Sequence, residues 1–494
     1  MDRLKFPIEG EKVVTASEMA RVEKLSIEAG ASGEAYMLKA GEGIAAVVNR
    51  FCEADDKVVT LLVGKGNNGG DAFVAGTFLL HQGFHVEAYH LVEAKEASPL
   101  CQKHEKEFLK AGGAVHRGKD LVFKGVIVDG LLGTGFQGKL EGKILGVIER
   151  ANDSKCPILA IDIPSGVNGD TGAVDPLAIH AKGTVFLGMP KRGFFVGSGY
   201  NFVKKLLGVD FGMEPRYYHE AKGPAHLVNV EALKELLPPL KRVRHKYQAG
   251  YVVAIAGFPG MPGAAMLSCL AALRTGAGIV RLFHPEGMKE ELAPSPYELI
   301  RTPYQWGDPN PIFEEVKRAK ACLIGPGVGK GEEMHTFLQR VVSKLTLPCV
   351  IDADALYHLK TFPEGAILTP HHREMVHLLG HETLKHEACQ VFADREKVTV
   401  VLKGAPTWIF HPNCSPLIVP YGDPGMATAG TGDVLTGMIA ALVAQGVKGR
   451  EGAALGVYLH AIAGEIAAAN RTSYSMIASD LIECLPEAFQ SLLK

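Results

Sequence analysis

Val58-Val59-Thr60-Leu61-Leu62-Val63, followed at once by Gly64-Lys65-Gly66-Asn67-Asn68-Gly69-Gly70-Asp71, decides the fold class of the first half. A short β-branched, apolar run that ends in glycines reads as a buried strand entering a tight loop. A helix is expected to follow from Ala72. Further strand-like runs stand at His85–His90, Gly125–Val128 and Pro157–Ile163, separated by the amphipathic stretches Cys101–Ala111 and Ile144–Ala151. Upstream, Thr15-x-x-Glu18 has capping-box spacing and opens a helix through about Ala29. Strand and helix alternate, which predicts a doubly wound, mostly parallel sheet over about the first 210 residues.

Beyond it, residues Glu214 to Tyr247 carry four prolines and the basic run Lys241–Lys246, read as a linker or domain entry. A second α/β series starts at Tyr251–Ala256. It continues with strands near Gly278–Phe283, Ala321–Ile324, Cys349–Ile351, Ala366–Leu368 and Val398–Leu402, and ends in helices from Gly432 onward. The expected domains are residues 1–220 and 221–494, as 494 residues exceed one ordinary core.

Hydrophobic residues make up 47% and charged residues 21%, the balance of a folded globular chain. Lys+Arg number 52 against Asp+Glu 54, a net charge of −2 that argues against nucleic acid or an anionic membrane as partner. Val434–Val447 and Ala453–Ala469 are too short and too rich in Ala and Gly for bilayer spans, and read as core helices. Nine scattered cysteines without a Cys-x-x-Cys pair point to reduced thiols and a cytoplasmic protein. A homo-oligomer is expected, with Gly452–Ala469 open as either its face or ordinary core.

Ligands of open α/β sheets bind beyond the carboxyl ends of strands, so polar residues at those ends carry the chemistry. Gly64, Gly66 and Gly69 satisfy a G-x-G-x-x-G fingerprint, and Glu87 is placed near where a ribose-binding acid would sit. Taken alone, that suggests an NAD-dependent oxidoreductase; the two asparagines and an aspartate in the turn are more than a backbone cradle needs. Asn68, Asp129 and Ser165, from three strand ends, are oxygen donors suited to a hard cation. Asp162 is a candidate proton-transfer residue on the same rim.

In the second half, Gly425–Gly437 runs a flexible loop into an apolar helix through Ala429-Gly430-Thr431-Gly432-Asp433. Amides at a helix start bind anions, and glycines let a phosphate approach the backbone. Asp433 beside that pocket is placed to take a hydroxyl proton and aim its oxygen at a phosphoryl group. Other strand ends reach the same rim: Gly325-Pro326-Gly327, Asp352-Ala353-Asp354, Thr369-Pro370-His371 and Lys403-Gly404-Ala405-Pro406-Thr407. His381-Glu382-x-x-x-His386 has the wrong spacing for a helical zinc site.

These motifs, in this order, make the chain resemble the bifunctional NAD(P)H-hydrate repair enzymes over nearly its full length. Asn67–Asp71, Asp129-x-x-x-Gly133-Thr134-Gly135, Asp162–Gly166 and Gly188-x-x-Lys191 look like the epimerase module. Gly325–Gly327, Asp352–Leu356, Leu368–His371, Lys403-Gly404 and Gly430–Asp433 look like the dehydratase module, whose fold is ribokinase-like.

The resemblance implies that the first module interconverts the R and S forms of hydrated NADH or NADPH. Potassium is then expected at Asn68, Asp129 and Ser165. Substrate contacts are expected at Asn67, Asn68, Gly69, Gly70 and Asp71, at Gly133, Thr134, Gly135, Phe136, Gln137, Gly138 and Lys139, and at Asp162.

The second module would remove water from the S form at the expense of ADP or ATP, with Mg²⁺ as charge partner and Asp433 as base. Lys403, Gly404, Ala405, Pro406 and Thr407, with Ala429, Gly430, Thr431 and Gly432, would bind the nucleotide; Ala264, Gly327 and His371 would touch the hydrated ring. The chain departs from the family at His372-Arg373, at Asp423 and at Lys39. Two other readings share parts of the pattern. A ribokinase-type small-molecule kinase fused to a Rossmann-like domain explains the Gly-x-Gly-Asp turn but not Asn67–Asp71. A binding protein whose first module has lost activity and serves as a scaffold is weighed against by the intact Asp162, Asn68 and Asp129.

Overall fold

The computed structural model describes residues 7–52, 57–117, 121–136, 138–305 and 307–493. The chain forms two compact units, one of Glu11–Ala225 and the other running from His226 onward together with the residues up to Gly10. The linker reading of 214–247 did not foresee that the N-terminal residues join the C-terminal unit, whose sheet contains β1 (Glu9–Val13).

The unit Glu11–Ala225 is built on a seven-stranded sheet. Its strands are β2 (Val58–Val63), β3 (His85–His90), β4 (Ala114–His116), β5 (Val126–Gly130), β6 (Ile158–Ile161), β7 (Gly183–Leu187) and β8 (Lys205–Val209). They lie in the order β4-β3-β2-β5-β6-β7-β8, all parallel. The order reverses between β2 and β5, so their carboxyl ends open a crevice there. The backbones nearly touch at that point: a Cβ on Gly64 would lie 1.8 Å from the carbonyl oxygen of Leu131.

Two local expectations change. The helix after β2 begins at Asn67, not Ala72, with Gly66 as N-cap, so Asn67–Asp71 is the first helical turn rather than a loop. Glu87 lies inside β3, paired with His85 (3.1 Å) and His116 (3.3 Å), because the strand runs on to His90. At the N-terminal helix Ala16–Glu28, Thr15 caps the amide of Glu18 at 3.1 Å, while the Glu18 carboxylate turns to Arg21 and to the Lys222 amide.

The C-terminal unit carries β9 (Ala225–Val228), β10 (Tyr251–Ile255), β11 (Ile279–Pro285), β12 (Ile300–Tyr304), β13 (Ala321–Ile324), β14 (Cys349–Ile351), β15 (Ile367–Leu368), β16 (Thr399–Leu402), β17 (Thr407–Phe410) and β18 (Leu417–Val419). The sheet order is β1-β9-β18-β17-β16-β15-β14-β13-β10-β11-β12. From β16 through β12 the pairs are parallel, with the reversal between β13 and β10; β17 is antiparallel to both neighbours.

The helix Thr431–Ala444 runs through the core, and Val434, Leu435, Met438, Ile439 and Leu442 are buried on it. Each such side chain contributes about 1.5–3 kcal/mol. Gly437 lets this helix lie against Pro262–Arg274, since a Cβ there would meet the Ser268 carbonyl at 2.0 Å. Gly449–Arg471 is long and apolar enough to cross a membrane, but it too is a mostly buried core helix. Most of Gly452–Ala467 packs into this core, while Glu465 and Ala469 are exposed.

Candidate functional site

In the first unit, the helix start Asn67–Asp71 sits over the crevice between β2 and β5. Asn68 donates through Nδ2 to the carbonyls of Leu132 (2.8 Å) and Ile161 (3.3 Å), which leaves its Oδ1 without a hydrogen bond among the described residues. Asp129, wholly buried, accepts from the Ser165 hydroxyl (2.6 Å), the Ser165 amide (2.8 Å) and the Leu131 amide (3.2 Å). The Leu132 amide in turn donates to Ser165 Oγ at 3.0 Å, which ties the three expected potassium ligands into one cluster.

Burial pushes Asp129 up to about 6, against the pull of its bonds to Ser165. No cationic side chain faces it among the described residues. A buried carboxylate without a cation, next to a free amide oxygen and a hydroxyl, fits a hard cation held by oxygen.

Asp162 follows β6 in a left-handed conformation, φ 61°, unusual for a side chain and often found at sites of function. Its Oδ1 accepts from Lys191 Nζ at 2.5 Å and from the Leu187 amide at 3.4 Å. Asp71 is buried beside it, its proton affinity pushed well up by burial first and then by Asp162 and Glu23.

Gly133 packs against Asn68. Thr134 and Phe136 are half-buried, while Gly135, Gly138 and Lys139 are exposed on the rim; Gln137 lies outside the described residues. Neither Lys191 nor Glu23 was assigned a role from sequence. Lys191 follows β7, a strand that the sequence pattern did not reveal.

In the second unit, Gly430 enters the helix Thr431–Ala444 at φ 93° with no side-chain cap, so the first-turn amides are left for an anion. The turn is held from behind. Thr431 Oγ1 donates to the carbonyls of Met426 (2.9 Å) and Thr428 (3.0 Å), and His460 Nε2 donates to the Thr431 carbonyl (2.9 Å). Burial lowers His460 to about 4, so near neutral pH it donates to that carbonyl as an uncharged imidazole.

Lys403 follows β16 and reaches Asp352 Oδ1 at 2.6 Å, with Glu374 Oε2 at 3.9 Å; a Cβ on Gly432 would be 3.2 Å from its Nζ. Thr436 donates to the other Asp352 oxygen at 2.6 Å. Lys403 is therefore fixed under the phosphate turn. Asp433 stands in that turn, pushed up to about 7 by burial first, then by Asp352, with Lys403 opposing.

Gly404 and Ala405 are exposed, and Thr407 Oγ1 closes their loop onto the Gly404 carbonyl at 3.1 Å. Ala429 is exposed just before the turn. Ala264 and Gly327 meet at the β10–β13 reversal, with a Cβ on Gly327 only 3.1 Å from that of Ala264. The helix there begins at Pro262, so Ala264 is in its first turn.

His371 caps the helix His372–Leu379: its Nδ1 accepts from the Glu374 amide (3.2 Å), and Glu374 Oε2 accepts from the His371 amide (2.7 Å). The departures His372 and Arg373 are exposed, whereas Glu374 faces inward to Lys403. Among the described residues no group of three or more His, Cys, Asp or Glu is arranged to hold a metal. A divalent ion here would be held chiefly by nucleotide phosphates and water, as Mg²⁺ usually is.

Fold and site together define a two-module α/β enzyme: a doubly wound module with an acid–lysine pair beyond the carboxyl ends of β6 and β7, and a second α/β module with a phosphate turn and a half-buried acid. Residues 252–487 match the family described as NAD(P)H-hydrate dehydratase, and residues 33–193 match the family described as YjeF-related protein N-terminus. The bifunctional NAD(P)H-hydrate repair enzyme Nnr of Moorella thermoacetica is 32% identical over 97% of this chain and 97% of its own length. The enzyme of the same name from Escherichia coli is 32% identical over 91% of this chain and 88% of its own. A Streptococcus mutans protein of solved structure is 24% identical and covers 54% of this chain and 100% of its own, with a TM-score of 0.50. The chain belongs to the bifunctional NAD(P)H-hydrate repair enzyme family.

Proposed function

We propose that the protein repairs hydrated NADH and NADPH, epimerising the R and S forms in the unit Glu11–Ala225 and dehydrating the S form in the C-terminal unit. The observation that carries this reading is the pairing, in one chain, of the Asp162 crevice with the Asp433 phosphate turn; a lone kinase has no use for the first. Asp162 is the proton-transfer residue of the epimerase, and Asn67–Asp71 with Gly133–Lys139 contact its substrate. Asn68, Asp129 and Ser165 would hold a potassium ion, which supplies positive charge beside that substrate.

In dehydration the difficulty is that hydroxide leaves poorly. Asp433 takes the hydroxyl proton, and the freed oxygen bonds to the terminal phosphorus of ADP or ATP while the bond to AMP or ADP breaks. The amides of Gly430–Gly432 and Lys403 carry the charge on the transferred group. The ring nitrogen lone pair then expels phosphate, and loss of a proton from the neighbouring carbon restores the double bond. Lys403–Thr407 and Ala429–Gly432 hold the nucleotide, Ala264, Gly327 and His371 hold the hydrated ring, and bound Mg²⁺ supplies charge neutralisation.

We take the working enzyme to be a cytoplasmic homo-oligomer without nucleic-acid or membrane partners, in keeping with a net charge of −2. The test is incubation with hydrated NADH and either ADP or ATP, following the return of dihydronicotinamide absorbance. No return with either nucleotide from either epimer would overturn the reading.

A further inference from the structure

The epimerase crevice holds more titratable groups than one proton-transfer residue requires. The groups facing Asp162 are Glu23 from the helix Ala16–Glu28, Asp71 from the helix Asn67–His81, and Lys191 after β7. Lys191 is wholly buried; its ammonium is bound to Asp162 Oδ1 at 2.5 Å and to the Leu187 carbonyl at 2.9 Å. The Leu187 amide also bonds Oδ1, so both contacts fall on one oxygen and Oδ2 is left without a partner among the described residues. Asp71 is buried too and makes no ion pair among the described residues, although Asp162 and Glu23 are close enough to act on its charge. Asp162 thus takes the ammonium, while Asp71 is left without a cationic partner among the described residues.

We propose that Lys191 and Asp71 complete the epimerase centre: Lys191 is a positioning residue that pins Oδ1 of Asp162, and Asp71 is the catalytic acid that protonates the ring nitrogen. The inference rests on the repair reading. Water adds to the ring at the carbon bonded to nitrogen, so the hydrate carries hydroxyl and nitrogen on one carbon. Asp162 Oδ2 takes the hydroxyl proton, and the O–H electron pair becomes the second bond of an aldehyde. The carbon–nitrogen bond breaks, its electron pair stays on nitrogen, and nitrogen takes the proton of Asp71.

Rotation about the adjacent carbon–carbon bond then presents the other face of the aldehyde. Closure runs the steps backward: the N–H proton returns to Asp71, nitrogen bonds to the carbonyl carbon, and Asp162 returns its proton to oxygen. Nothing is consumed. Burial pushes the proton affinity of Asp71 well up, with Asp162 and Glu23 adding to it, as an acid that must carry a proton requires.

The experiment uses the full chain, the pure R epimer and no nucleotide, with R and S resolved by chromatography. A wild-type chain that left R untouched would overturn the repair reading and this inference with it; conversion establishes the baseline for the variants. Asp71→Asn should lower kcat by about 10²–10⁴-fold with KM within about threefold. Lys191→Met should lower kcat and move the acidic limb of the pH profile up by about one unit or more, because Asp162 loses its cation. A purely structural Lys191 would leave that limb in place. Should Lys191→Met fail to fold, Asp71→Asn, which preserves shape, decides alone. An Asp71→Asn rate within about threefold of wild type, or an unmoved limb in a folded Lys191→Met, overturns the proposal.

Discussion

Asp433→Asn is expected to abolish dehydration and to stabilise the C-terminal unit at alkaline pH, two effects that share one cause. In the folded chain the Asp433 carboxyl is pushed from 3.8 up to about 7, by burial first and then by the Asp352 carboxylate. A folded-state value that is raised makes a contribution to stability that is fully present below the unfolded value and is lost as pH rises through the folded one. Between pH 5 and pH 8.5 the wild type crosses about two units of that range, at most ~2.7 kcal/mol at ~1.4 kcal/mol per unit. Asp433 is only half-buried, and screening by water at the mouth reduces this to about half, ~1.4 kcal/mol.

Asparagine has no charge in either state, so the variant escapes the loss. In a unit of this size each kcal/mol moves Tm by about 2–4 °C, so the Tm advantage of Asp433→Asn should widen by ~3–6 °C from pH 5 to pH 8.5. Calorimetry on nucleotide-free full-length chains reads it. In parallel, wild-type kcat/KM for dehydration should rise with pH through about 7, since the base must be ionised. The variant should lose about 10²–10⁴-fold in rate, with nucleotide affinity within about threefold. A Tm gap that stays constant across the two pH values, or a variant with near-normal turnover, would refute the reasoning.

Asp162→Asn should stop use of the R epimer while the S epimer is dehydrated at the wild-type rate; loss of S turnover instead would mean that the reactions are assigned to the wrong units. Asp129→Asn removes the buried anion that needs a cation, so epimerisation should fall and cease to depend on potassium against choline, with dehydration unchanged; a retained potassium response would count against this cluster. Gly430→Ala places a side chain at φ 93° with its Cβ 2.5 Å from Leu267 Cδ1, and should cost about 1–2 kcal/mol in chemical denaturation while weakening nucleotide binding. Unaltered binding would show that the turn does not hold phosphate.

The linear pattern was enough for whatever depends on neighbours in sequence. Short apolar runs located β2, β3, β13 and β14 closely, those of β2 and β13 ending in glycine, and the Gly-x-Gly-Asp turn marked the start of a helix, because strand and helix starts are written in adjacent residues. Strands such as β7 and β8 passed unnoticed: Gly183–Leu187 and Lys205–Val209 are short and mixed, and are held by their sheet neighbours rather than by their own pattern. The antiparallel β17 and β18, and β1 in the C-terminal sheet, are likewise products of long-range pairing.

Sequence alone determined which acids stand beside which turns: Asp433 next to Gly430–Gly432, and Asp162 after its strand. Only the tertiary structure decided what those acids can do. Proton affinity depends on burial and on charges brought from elsewhere in the chain, and no spacing rule reports either. Asp352 lies 81 residues before Asp433 in the sequence yet helps raise it to about 7; Lys191 lies 29 residues after Asp162 and meets it at 2.5 Å. Motifs name the groups, and packing sets the charge they carry.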